Sequence, residues 1–241
     1  MCQFKSGIVL KNKVLTMLEE DSHAEILKHF NIKDEMTPPD FVKVELVPID
    51  GDVVNGIHNL NFKTWELKVD QDTIPDWWEA SKKWAEKEMM KALKETVKKR
   101  CVLRNQKIKE IKDGERWILV CGHVDYICGI AHVGNICGTA HVGNICGTAH
   151  VGNICDTAHV DNICDTAHVD YIYDTAHVDN IYGTAHVGNI CGTAHVDYIY
   201  DTAHVDYIKD YAIVFLSRKN GVITMRTADD AKVEVKNGKT I

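Results

Sequence analysis

Proline is scarce in this chain of 241 residues: there are 4, at Pro38, Pro39, Pro48 and Pro75, and none beyond. Aromatic residues make up only 7%. Glutamate is missing between 122 and 210, where Lys209 is the single basic residue. No run approaches the roughly 18 apolar residues of a membrane-spanning helix, so no membrane association is expected. Lys5, Lys11, Lys13, Glu19, Glu20 and Asp21 crowd the start of the chain, so no secretory signal peptide is expected and the protein reads as cytoplasmic. Catalytic signatures are lacking too: no nucleophile elbow, P-loop, Rossmann glycine set or zinc-protease helix occurs. Neither a catalytic residue nor a cofactor is expected, and the chain does not read as an enzyme. Asp70, Asp72 and Asp76 cluster, but they flank a helix start, where capping and solvation account for them. The net charge of −7 argues against direct nucleic-acid binding.

What the chain does contain is a repeat. From Gly122 to Asp210 the pattern A-H-V-(G/D)-(N/Y)-I-(C/Y)-(G/D)-T recurs every nine residues, in ten copies. The chain therefore divides into 1–121, 122–210 and 211–241. Charge divides with it: 122–210 holds 11 Asp and one Lys, −10 with His neutral, while the remainder carries +3. The four prolines precede the repeat, as expected where backbone N–H groups are committed to strand ladders.

A period of nine fits no heptad, and each copy holds Gly or Asp positions that helices disfavour. β-Branched residues between Gly/Asp places predict short strands. Val in the third place and Ile in the sixth are invariant across the ten copies, and Ala fills the first in nine. Alternation puts Ala and Val on one face with Thr and His on the other, and turns Ile inward. Nine is odd, so the parity must reset at the Gly/Asp corners. The pattern predicts a parallel β-solenoid with two repeats, 18 residues, in each coil, hence five coils; a triangular coil of three repeats is the alternative. Burying the histidines instead would desolvate ten imidazoles without partners. The calcium roll of secreted toxins shares the period, but its G-G-x-G-x-D signature is absent and obligatory calcium is not expected.

The flanks read differently. In 1–121, FKSGIVL, FVKVELV and NFKTWELKV predict strands. Ser22 and Glu25 form a capping-box pair before a stripe of His23, Ile26, Leu27 and Phe30. A helix is predicted from Pro75–Asp76 to about Arg100, with Trp77, Trp84, Ala85, Met89, Leu93 and Val97 on its apolar face and Lys98, Lys99 and Arg100 closing it. RWILVCG predicts the strand entering the first coil. In 211–241, Asn220-Gly221 predicts a β-hairpin, and KVEVKNGKTI a further strand. A solenoid exposes a sheet edge at each end, so the two flanks are expected to serve as caps. The fold class expected is an α+β N-terminal domain, an all-β parallel solenoid and a C-terminal β cap.

The combination of DSHAEILKHFNI, FVKVELVPIDGD, WELKVDQDTIPDWWE and a following nonapeptide solenoid resembles uncharacterised proteins of bacteriophages and anaerobic gut bacteria, along nearly the whole chain. VDQDTIPDWW is the most specific piece. The resemblance carries no catalytic residue; it implies an intracellular, phage- or mobile-element-linked setting.

Four columns on the outside of the predicted rod are candidates for function. His123, His132, His141, His150, His159, His168, His177, His186, His195 and His204 should form two ladders about 4.8 Å apart. Such a ladder is either a stacked, hydrogen-bonded element kept by tandem duplication or an array for Zn²⁺, Ni²⁺ or Cu²⁺; no metal ligand is firm. Cys128, Cys137, Cys146, Cys155, Cys164 and Cys191 share the seventh place with Tyr173, Tyr182 and Tyr200, a swap no obligatory ligand or disulfide tolerates, so free thiols are expected. The Thr column resembles the flat arrays of ice-binding solenoids, but a bulky His follows each Thr two places on. The Asp column offers a partner surface, with Asp161, Asp165, Asp170, Asp174 and Asp179 able to imitate the charge of a duplex, unless Asp is there only to suit the corners. Trp77 and Trp78 are a second candidate surface, unless they pack on the sheet. The function that emerges is a non-enzymatic structural or interaction scaffold whose partner is another protein, with self-association through the solenoid ends or sides open. An acidic DNA mimic that inhibits a host nucleic-acid enzyme, and a metal-binding His/Cys array, are the alternatives.

Overall fold

The computed structural model describes residues 5–18, 21–34, 40–217, 226–227 and 232–236. It divides into two compact units, Met1–Arg100 and Cys101–Ile241. The structural boundary thus falls ahead of the point where the repeat becomes readable.

The first unit is an antiparallel sheet with helices. Its strands are β1 (Lys5–Leu10), β2 (Lys13–Leu15), β3 (Phe41–Pro48) and β4 (Trp65–Val69), in the order β2-β1-β3-β4. Helix α1 (His23–His29) starts where the capping pair predicts, with the Ser22 side chain accepting from the Glu25 N–H. Its Ile26 and Leu27 join Ile8, Leu15 and Phe41 in one core. A single turn, α2 (Val53–Gly56), is capped by Asp52. Helix α3 (Trp78–Arg100) packs on β1, β2 and β3. Gly7 allows this close packing, since a Cβ there would stand 2.5 Å from the Met89 sulfur.

The face of α3 follows expectation from Ala85 to Val97 and departs from it at the tryptophans. Trp78, Ala85, Met89, Leu93 and Val97 are buried, whereas Trp77 is half-buried and Trp84 exposed. The helical period places 78, 85, 89, 93 and 97 in one stripe; 77 and 84 sit one residue, about 100°, to the side. Trp78 is 1% exposed and forms part of the core, so it does not belong to a partner surface.

The second unit is the solenoid. It opens with β5 (Cys101–Val102), β6 (Lys107–Ile111) and β7 (Arg116–Val120). The ten repeats supply β8 (His123–Ile127), β9 (His132–Ile136), β10 (His141–Ile145), β11 (His150–Ile154), β12 (His159–Ile163), β13 (His168–Ile172), β14 (His177–Ile181), β15 (His186–Ile190), β16 (His195–Ile199) and β17 (His204–Ile208). Beyond them come β18 (Ile213–Ser217), β19 (Arg226–Thr227) and β20 (Lys232–Lys236). Even-numbered strands from β6 to β20 form one parallel sheet, and odd-numbered strands from β5 to β19 the other. Each repeat residue stands on its equivalent 18 positions away, as in His141 on His159, so a coil holds two repeats. The expected solenoid is present, with its sheets running past the repeat on both sides. Asn220-Gly221 lies outside the described residues; β18 pairs in parallel with β16 and β20, and β19 with β17.

The interior is the repeated Ala, Val and Ile: those from Val124 to Val214 form a single buried cluster, each at most 1% exposed. Within a strand, Val and Ile both point inward although three residues apart, with two outward residues between them. The parity therefore resets at the fourth place, in mid-strand, where the ladder register skips one residue. The eighth place is the true corner. In all ten copies it has positive φ, from 56° at Asp156 to 70° at Gly183, which explains why only Gly and Asp alternate there.

Candidate functional site

The four candidate columns are built by the register. Successive histidines lie 18 residues apart, and their ring centroids are 4.6 to 5.1 Å apart, as the strand spacing requires. They do not stand free in solvent. Half-buried against the strand, most face carboxylates of the fourth place, two residues on or twenty residues on. In the even-numbered sheet, Asp161 lies 2.6 Å from His141 and 3.8 Å from His159, and Asp179 lies 2.6 Å from His159 and 3.7 Å from His177. Asp197 follows, 3.2 Å from His177 and 3.1 Å from His195. In the odd-numbered sheet, Asp170 accepts from His150 and His168, each at 2.9 Å, and Asp206 lies 3.1 Å from His186 and 2.8 Å from His204. His168 and His186 meet through their Nδ1 atoms at 2.9 Å, so one ring donates there and the other accepts. Runs of alternating imidazole and carboxylate result, from His141 to His195 in one sheet and from His150 to His204 in the other, the second bridged at Gly188 by the His168–His186 contact.

Electrostatics follow the same geometry. Hydrogen bonding to His186, reinforced by His204, holds the Asp206 carboxyl below the usual carboxylate range. His132 has no aspartate in its own repeat, since Gly134 fills the fourth place. Burial pushes its basicity down, and the neighbouring His150 and Arg116 push it further.

The corner aspartates have a different task. Asp156, Asp165, Asp174, Asp201 and Asp210 each accept from the backbone N–H of the eighth residue one coil earlier, at 2.9 to 3.4 Å. The candidate partner surface thus separates into two kinds: Asp161, Asp170 and Asp179 face imidazoles, while Asp165 and Asp174 bind amides. The threonines are similarly engaged. From Thr148 to Thr202 their hydroxyls donate to the corner carbonyl of the preceding coil, at 2.7 to 3.0 Å. Asn153, Asn162 and Asn180 each donate to an Asn one coil before.

The cysteine column lies deeper than the sequence pattern predicts. Cys137, Cys155 and Cys164 are buried at 2 to 7% exposure, because the seventh place begins the corner and turns under it. No disulfide joins the described cysteines. The Cys137 thiol is within hydrogen-bond reach of Cys121 and Cys155, which raises its own pKa and lowers theirs. Burial pushes the Cys128 thiol up to about 11. Tyr182 is likewise pushed up to about 12 by its hydrogen bond to Cys164. Tyr171, Tyr173, Asp174 and Cys191 line an open groove together with Asn153, Gly192 and Asp210.

The sequence pattern identifies the histidine ladders but not their partners, because a fourth-place Asp next to Gly-rich turns has the pattern of a corner residue. The usable signal was its spacing of two from each His, on the same outward side of the reset. Among the described residues no helix is long and apolar enough to cross a membrane. No family model, curated protein or solved structure matches the chain.

Proposed function

We propose that the protein is a non-enzymatic structural or interaction scaffold that holds another protein, in the intracellular, phage- or mobile-element-linked setting implied by the resemblance of its VDQDTIPDWW region. One observation carries this reading: the repeated polar side chains are bonded to the coil beside them. Thr, corner Asp, Asn and most of the His–Asp pairs satisfy neighbours within the solenoid. A repeat selected to bind a ligand at each copy would leave those groups directed outward; this one uses them to fix register and rigidity, which serves a spacer or platform. The DNA-mimic alternative is less well supported, since its carboxylates are engaged with imidazoles and amides of the same chain rather than presented as a row of free charges.

The test is affinity capture from the native host with the full chain as bait, followed by mass spectrometry and reconstitution from purified components. A protein partner recovered at fixed stoichiometry, and insensitive to moderate salt, supports the scaffold. A DNA-binding enzyme released by salt would replace it with the mimic, and failure to reconstitute any partner would overturn it.

A further inference from the structure

Triads of two imidazoles and one carboxylate recur along the histidine ladders. They include His141–His159–Asp161, His150–His168–Asp170, His159–His177–Asp179 and His177–His195–Asp197, each with three ligand atoms within 4.8 Å of one another. Two ring nitrogens and an oxygen suit Zn²⁺ and neighbouring divalent ions. Three of these triads are closed by hydrogen bonds: His141 to Asp161 at 2.6 Å, His150 and His168 to Asp170 at 2.9 Å, and His159 to Asp179 at 2.6 Å.

The fourth differs. The Nε2 atoms of His177 and His195 lie 3.2 and 3.1 Å from Asp197 Oδ1. Both nitrogens are buried, and neither makes a hydrogen bond among the described residues. They are therefore close enough to the carboxylate but off the N–H axis that a hydrogen bond requires. A metal ion requires this offset, because it occupies the lone-pair axis itself and carries the carboxylate beside it. Tetrahedral ligands about 2.0–2.1 Å from zinc stand roughly 3.3 Å from one another, close to the spacing found. The two rings are nearly parallel, at 26° with centroids 5.0 Å apart, and the Phe215 ring lies beyond His195, tilted by 49° with centroids 5.5 Å apart. The three side chains as a whole remain 36 to 39% exposed.

We propose that His177 Nε2, His195 Nε2 and Asp197 Oδ1 form one site for a divalent transition-metal ion of the Zn²⁺ class. The test uses the full chain without a polyhistidine tag, stripped with chelator and titrated with Co²⁺ and then Zn²⁺. One Co²⁺ per chain with tetrahedral ligand-field absorption, displaced by one Zn²⁺, is expected. Asp197→Gly is the informative variant, since Gly134, Gly143, Gly152 and Gly188 hold the same repeat place and show that the solenoid accommodates it. It should weaken binding at least tenfold while the far-ultraviolet dichroism stays that of the parent, and His195→Gln should do the same. Asp161→Gly should leave the affinity unchanged. Absence of stoichiometric uptake, or uptake that Asp197→Gly does not weaken or Asp161→Gly weakens equally, overturns the site.

Discussion

At a single corner of the solenoid, one residue has to meet two demands at once. The eighth place needs positive φ, and its neighbour one coil earlier has a backbone N–H to satisfy. Gly meets the first demand without strain. Asp accepts some strain and meets the second, as Asp174 does for Asp156 N–H at 3.3 Å. A β-branched residue meets neither. Asp174→Val should therefore lower unfolding stability by about 2 kcal/mol or more, while Asp174→Gly stays within about 1 kcal/mol of the parent. Urea midpoints at constant slope measure both. Next to the corner, the Thr184 hydroxyl donates to Asp165 O at 2.9 Å, and the Thr184 N–H reaches the same oxygen at 2.8 Å. Thr184→Val keeps the second bond only and should cost about 1 kcal/mol, whereas Thr184→Ser should cost less. The alternation of Gly with Asp was visible in the sequence, and so was the constancy of Thr. Their reason was not, because each bond joins residues 18 or 19 positions apart and only the register brings them together.

Strands and ladders follow a different logic from single residues, since each element owes its form to its copies on either side. The inward Val and Ile were legible because burial demands them in every copy. Their three-residue spacing was legible too, but the mid-strand reset that reconciles it with a period of two appears only in the ladder register. For α3 the stripe was legible from Ala85 to Val97, where Met89 packs over Gly7, but not at its start, where two adjacent tryptophans compete and Trp78, not Trp77, turns inward. The ladders also fix a direction for pH. Asp206 titrates below its ordinary range when folded, so its contribution is present above the unfolded carboxyl value and is lost as pH falls through the lower folded one. His132 is kept neutral by burial, so the unfolded chain takes up its proton first, beginning near the ordinary histidine value of about 6.5. Both signs agree. Stability should hold from pH 8 to 7, start to fall below about 6.5 and fall again in the carboxylate range. Thermal midpoints across that range check it, and a midpoint that rises on acidification would contradict the burial of the ladder.

For the whole solenoid, the quantity that matters is phase. One repeat is nine residues and one coil is 18, so the even- and odd-numbered sheets are related by a single repeat. Removing residues 148–165, one full coil, returns every later strand to its own sheet. The Val and Ile columns close over the gap, and β18 still stacks on β16. A nearest-neighbour solenoid should then lose stability roughly in proportion to the coil removed and keep its cooperativity. Removing residues 148–156, one repeat, moves every later strand into the opposite sheet. They move together, so Ile213 of β18 stays above His195 and Arg226 of β19 above Tyr207, since both partners lie beyond the deletion. New contacts arise only at the junction, where β12 comes to stack on β9 and β13 on β10, in place of β10 and β11. There Val still meets Val and Ile still meets Ile, because the repeats share those places. The half-coil deletion should therefore lower the denaturant midpoint by less than the full-coil deletion, roughly in proportion to the residues removed. The reverse order would mean that the polar contacts between particular repeats, such as Asn135 with Asn153 and His150 with Asp170, and not the shared Val and Ile columns, fix the phase of the stack.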